Sequence, residues 1–238
     1  MDICLMGRYN LFMKTHLIAI DGLDGSGKQT QTELLGKTLS ENKIPYRCLS
    51  FPTYDDEMSA QVKMYLSGRF GDDPNAVNAY AASSFFGVDR YCSYMLDWKK
   101  DYEAGKVILA NRYTSANAVH QLSKLGESEG KEFLKWLMDF EFGKLGIPKP
   151  DAVVYLCLPP EISRELIEKR SRETGVKMDI HERNFDYLEK SYKAALYSAS
   201  ELGWITIDCS ENGHIRTRED IHEEMVARIK KIMPELDI

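Results

Sequence analysis

A short apolar run, HLIAID (16–21), leads into GLDGSGKQTQ (22–31), and a helical pattern then extends from Lys28 to about Glu41. A strand feeding a glycine-rich turn that opens directly into a helix leaves few folds available. Such a unit is at home in a parallel sheet covered by helices, where the strand is buried on both faces. The turn also carries chemistry. Glycines let backbone N–H groups point at an anion, and the helix N-terminus adds its dipole. The spacing matches the phosphate-cradling pattern G-x-x-x-x-G-K-[ST] at Gly22, Gly27 and Lys28, with Lys28 reaching the outer phosphates. Gln29, however, stands where a Ser or Thr hydroxyl ordinarily holds magnesium. Gly25 and Ser26 complete the turn, and Thr30 offers a hydroxyl one position late. Asp24 is an acid inside an anion cradle. It makes sense there if it holds a cation or a sugar hydroxyl; capping its own turn is the plainer alternative.

The rest of the chain repeats the alternation. YRCLSF (46–51), VILA (107–110), AVVYLCL (152–158) and WITID (204–208) read as short buried strands. Helical patterns cover 75–99, 115–125, 128–143, 160–170, 183–202 and 217–232, the first starting after Asp72-Asp73-Pro74. Strands alternating with helices predict an α/β fold with a parallel sheet wrapped on both faces. At 238 residues, 15–238 reads as one domain behind an N-terminal arm, 1–14. The formal net charge of −6 argues against a general nucleic-acid binder. No apolar run is long enough to span a bilayer. Five cysteines, far apart and without C-x-x-C spacing, read as reduced, mostly buried thiols of a cytoplasmic protein.

Five segments together carry a resemblance: IAIDGLDGSGKQTQ, SFPTYDDEMSAQVKMYL, AASSFFGVDRYCSYM, ILANRYTSANAVHQ and DIHERNFDYLEKSY. In order and spacing they resemble the thymidylate kinase family, over nearly all of residues 16 to about 208. The resemblance implies a P-loop nucleoside monophosphate kinase fold: a five-stranded parallel sheet, helices on both faces, and a lid at about 169–183. It implies transfer of the γ-phosphate of ATP to the 5′-phosphate of dTMP by a homodimer. It places Phe51 and Pro52 in the thymidylate pocket and Tyr54 near the sugar and phosphate. Phe86 would stack on the pyrimidine and Arg90 donate to its O4; on spacing alone, a core Phe and a surface Arg is the preferred reading. Asn117 and His120 match positions facing the same base. Arg112 is the expected clamp on the acceptor phosphate, where a bidentate fork fits.

The family has Asp-Arg-Tyr where this chain has Asn111-Arg112-Tyr113. Gln29 and Asn111 are thus neutral amides at both usual magnesium-helper positions. The resemblance suggests that Asp24 and the lid residue Glu182 organise the ion together with the nucleotide phosphates. Residue 25 is Gly, so the loop has no arginine, and the lid must supply the transition-state cation. Arg172 is the first choice for that, with Arg170 stacked on adenine. The expected dimer face joins the helices at 75–97 and 131–143, rich in large apolar groups such as Tyr91, Met95, Trp98, Phe133 and Trp136. Two other readings stay open: a kinase for another nucleoside monophosphate or a nucleoside, and a nucleotide binder that has lost its chemistry.

Overall fold

A computed structural model describes residues 15–175, 178, 181 and 184–238. The N-terminal arm and Glu182 lie outside the described residues. Five parallel strands form the sheet: β1 (Leu17–Gly22), β2 (Tyr46–Ser50), β3 (Val107–Asn111), β4 (Ala152–Cys157) and β5 (Ile205–Asp208). Their order is β2-β3-β1-β4-β5. β1 lies at the centre, with Leu17 opposite Ile108 and Ile18 opposite Ala152, and all six of its residues are buried.

Alternation along the strands divides the core in two. Ile18 and Ile20 pack with Leu35 and Leu39 of α1 (Lys28–Glu41) and with Met225 and Ile229 of α9 (Arg218–Ile232). Leu17 and Ala19 face the other way, onto Ile108, Ala110, Trp98 and Tyr113. Burying each large aliphatic side chain stabilises the fold by about 1.5–3 kcal/mol. The strand ends that carry the site are therefore held rigidly. No helix among the described residues is long and apolar enough to cross a membrane.

The remaining helices are α2 (Ala60–Leu66), α3 (Ala79–Ser93), α4 (Lys99–Glu103), α5 (Thr114–His120), α6 (Gly130–Met138), α7 (Pro160–Thr174) and α8 (Phe185–Leu202). Several depart from the sequence pattern. The stretch expected from residue 75 begins with a separate 3-10 turn, Pro74–Ala76, capped by Asp73. Val77 is extended, and α3 starts only at Ala79, where the Asn78 side chain accepts the Ala81 N–H. The chain then continues through a π turn, Tyr94–Trp98, into α4. α5 stops at His120 and gives way to a 3-10 turn, Leu122–Lys124. α6 ends in a π turn, Asp139–Lys144. α7 runs to Thr174, where Gly175 at φ 71° supplies the left-handed stop. Two elements were unexpected: α2, and a small hairpin, Ser210–Glu211 with His214–Ile215. The hairpin's turn is Asn212-Gly213, both at positive φ, the favoured dipeptide for a tight two-residue connection.

Candidate active site

The carboxyl ends of β1, β2 and β3 open onto one cleft of about 790 Å³, where ligands bind in open parallel sheets. After β1 the chain turns back at once. A Cβ at Gly22 would lie 2.5 Å from Ser26 Oγ and 2.8 Å from Leu156 O, so no side chain fits. Gly27 caps α1 at φ 86° and no side chain caps that helix. Its first N–H groups are left for an anionic ligand. Lys28 is buried, donates to Leu23 O at 2.8 Å, and lies 3.7 Å from Asp24.

Arg112 closes β3 at φ 64°, a left-handed conformation uncommon outside glycine. One arm of its fork donates to Asp24 and the other, Nη1, lies 3.0 Å from His120 Nε2. A guanidinium only donates, so His120 Nε2 accepts and its proton resides on Nδ1. Burial, with Arg112 next, holds the His120 pKa well below the ordinary value, consistent with a neutral ring. Burial alone would raise the Asp24 pKa, but Arg112 and Lys28 hold it far below the usual carboxylate range. Burial, then the charge of Arg112, pushes Lys28 down to about 8.

The two neutral amides meet. Asn111 Nδ2 donates to Gln29 Oε1 at 2.9 Å, and Gln29 Nε2 donates to Glu33 at 2.6 Å. Asn111 Oδ1 is buried with no hydrogen-bond partner among the described residues. The Asp24 carboxylate and this amide oxygen are hard donors that fit magnesium. Among the described residues no group of three or more His, Cys, Asp or Glu could hold a metal.

At the other end, Phe51 joins Pro52 through a cis peptide, and both line the cleft with Tyr54, Phe86, Arg90 and Asn117. Thr53 donates its N–H and hydroxyl to the buried Asp89, tying this loop to α3. Arg90 is buried and donates to Glu141 through Nε at 2.7 Å and Nη2 at 2.5 Å. Burial would lower the Arg90 pKa; Glu141 more than offsets this. Glu141 was missed from sequence. The signal was present, because Phe133, Leu137 and Glu141 recur at helical spacing, placing an acid on a buried stripe. A buried acid demands partners.

The cleft also takes in Asp24, Gly25, Gly27, Lys28, Gln29, Arg112, His120 and Arg170. Of the anticipated residues, Gly22, Ser26, Thr30 and Arg172 do not line it. Of the two arginines expected from the lid, Arg170 and not Arg172 faces the cleft. Two positions apart on α7 they point about 200° apart. Both are exposed, but only Arg170 of the two lines the cleft, and its charge is felt at Asp24.

Another unanticipated group is His181. It is buried beside Tyr187 and His120, with near-parallel ring planes and centroids 4.7 and 5.4 Å away. Its Nε2 lies 2.9 Å from Tyr65 Oη, which accepts from Lys124 at 2.8 Å. Burial pushes His181 down to about 3 and Lys124 to about 7. The network joins the lid segment to α2 and, through His120, to Arg112.

A profile of the thymidylate kinase family matches residues 20–221. A thymidylate kinase of Mycobacterium tuberculosis (strain CDC 1551 / Oshkosh) is 30% identical over 192 residues, 79% of this chain and 87% of its own length. The thymidylate kinase of Plasmodium falciparum (isolate 3D7) is 26% identical over 225 residues, 93% of each chain. Among solved structures, a thymidylate kinase from Candida albicans superposes with a TM-score of 0.64 at 19% identity, over 92% of each chain, a likeness of fold.

Proposed function

This chain belongs to the thymidylate kinase family, and we infer from its site how it moves the γ-phosphoryl group of ATP to the 5′-phosphate of dTMP. What carries this reading is one continuous cleft with a cationic end and a base-sized end. The acceptor is already an anion, so no general base is required. Catalysis is positioning plus charge neutralisation. We assign the backbone of Gly25 and Gly27, with Lys28, to the ATP phosphates, and Gln29 to the flank of that cradle; the Gly22 and Ser26 N–H groups, expected there, donate instead to Asp21 and to Leu23 O. Arg112 holds the acceptor phosphate in line, and Arg170 is the lid cation over the transferring group. Asp24 and Asn111 would supply the protein oxygens for magnesium, which neutralises phosphate charge when it arrives with ATP.

Phe86 offers a face for a pyrimidine to stack on, and Arg90 and Asn117 read its edge. Contact with Pro52 favours a methyl group. The test is coupled ADP release across nucleoside monophosphates with magnesium present. dTMP turns over fastest. dUMP is slower by about tenfold to two-hundredfold, the worth of one methyl contact. dCMP and the purines trail further. Equal turnover of dCMP and dTMP would sink the assignment.

The outer face of α3 and its continuation exposes Tyr80, Val88, Tyr91 and Met95, one stripe at helical spacing. Such a contiguous apolar face supports a two-fold homodimer. Phe133 and Trp98, also expected there, are buried in the chain's own core, leaving α3 as the main surface. Light scattering at micromolar concentration should give twice the 27.3 kDa chain mass. A monomer mass refutes the dimer. Cys48, Cys92, Cys157 and Cys209 are free, which supports a cytoplasmic location, although only Cys157 and Cys209 are buried.

A further inference from the structure

Glu141 is fully buried, and four donors converge on its carboxylate: Arg90 Nε and Nη2, Thr114 Oγ1 at 2.7 Å, and Asn117 Nδ2 at 3.0 Å. A carboxylate offers about four lone-pair sites, so its capacity is filled. It sits in the π turn Asp139–Lys144, a kind of irregularity concentrated at functional sites. That turn lies close against α3: a Cβ at Gly87 would come within 2.8 Å of Phe140.

The bonds dictate what the two base-facing groups present. Asn117 Nδ2 also donates to Ser83 O at 3.2 Å. Both of its hydrogens therefore go to acceptors that cannot donate in return, and the amide has one orientation. Its Oδ1, an acceptor, is the atom left for a ligand in the cleft. Arg90 spends Nε and Nη2 on Glu141, and Nη1, a donor, is left. Arg90 and Glu141 cancel in charge.

We infer that Glu141 is a positioning residue for base selection: it fixes Asn117 as an acceptor and Arg90 as a donor with its charge compensated. The pocket then selects a neutral pyrimidine ring by the direction of its hydrogen bonds. Thymine and uracil offer an N–H beside a carbonyl oxygen, which satisfies both groups. Cytosine offers a bare ring nitrogen beside an amino group, which opposes both. This rests on the dTMP kinase reading above.

The test uses Glu141→Gln and Glu141→Asp in the full chain, with KM measured separately for dTMP and ATP, and turnover of dCMP. In Glu141→Gln the carboxamide can offer its own N–H, which releases the Asn117 amide to turn over. Glu141→Asp keeps the charge on Arg90 compensated, so folding stays within reach, but withdraws the carboxylate by one methylene. Both should raise the KM for dTMP by about tenfold to a hundredfold, the loss of a hydrogen bond to a charged group, and leave the KM for ATP within twofold, about its wild-type value. The Gln variant should also gain turnover of dCMP, which a poorly folded protein cannot do. An unchanged dTMP KM with unchanged dTMP-to-dCMP selectivity in a folded variant overturns the inference. So does a parallel rise in both KM values, which marks a merely structural acid. Failure of the unsubstituted enzyme to phosphorylate dTMP would instead strike the functional reading itself.

Discussion

Asp24→Asn should lower turnover by about two to three orders of magnitude, the scale on which one preorganised charged contact acts at a reacting phosphate. Asp24 stands between Arg112 and Lys28, and both hold it ionised despite its burial. The substitution keeps the shape and removes the charge. Two consequences follow. Lys28, already pushed down to about 8 by burial and Arg112, loses the neighbour that raises its pKa. A larger share of Lys28 is then neutral at a given pH, and ATP binding weakens. On the proposed reading the phosphate end of the cleft also loses the carboxylate that would hold magnesium, leaving the amide oxygen of Asn111. Turnover measured against magnesium concentration separates the outcomes. The expected result is a lower plateau with the magnesium midpoint moved to higher concentration. A wild-type rate with an unchanged midpoint would mean that Asp24 is a structural turn acid.

Arg112→Lys should cost about a hundredfold to a thousandfold in kcat/KM for dTMP. The guanidinium serves Asp24 and His120 with separate arms while facing the cleft, where the proposed reading puts the acceptor phosphate. A lysine supplies a point charge on a flexible stem and cannot reproduce that planar fork. Losing the bonds to Asp24 and His120 amounts to about 3–4 kcal/mol. The left-handed backbone at φ 64° is no easier for lysine than for arginine, so the substitution tests chemistry rather than backbone strain. Steady-state kinetics with each substrate varied in turn decides it. The dTMP parameter should collapse while the KM for ATP moves little. Equal damage to both substrates would show that Arg112 only supports the fold.

The strands and their parallel arrangement were legible because each is a short apolar run bounded by turns, and β1 leads into a glycine pattern with one structural solution. Helix limits were less legible. Val77 and the two π turns are set by tertiary packing, which periodicity does not register. The Asn-Gly turn was legible and unread. For the site, Gln29 and Asn111 could each be seen to depart from pattern, but not that they bond to each other across 82 positions. Glu141 left a trace as an acid on a buried stripe, yet its partners come from α3 and α5, and long-range pairing leaves no local signature. His181 left none, because a histidine in a charged connector looks solvated until the fold buries it. Arg170 and Arg172 could be ranked only when α7 fixed which of them faces the cleft.

Helix α3 has no idle side. Ala79, Ala82, Ser83 and Gly87 are buried against the body of the protein, Phe86 and Arg90 line the cleft, Asp89 holds the Thr53 loop, and Tyr80, Val88 and Tyr91 form the outer stripe. An ordinary surface helix keeps one polar face on which substitutions accumulate at little cost. Here that reserve is largely gone. Gly87 cannot grow without moving Phe140, on the proposed reading the cleft residues cannot change without altering base selection, and the outer ones cannot turn polar without losing the apolar face. Over evolutionary time α3 should drift more slowly than α9, whose outward positions carry mostly solvated charge such as Glu223, Lys230 and Lys231.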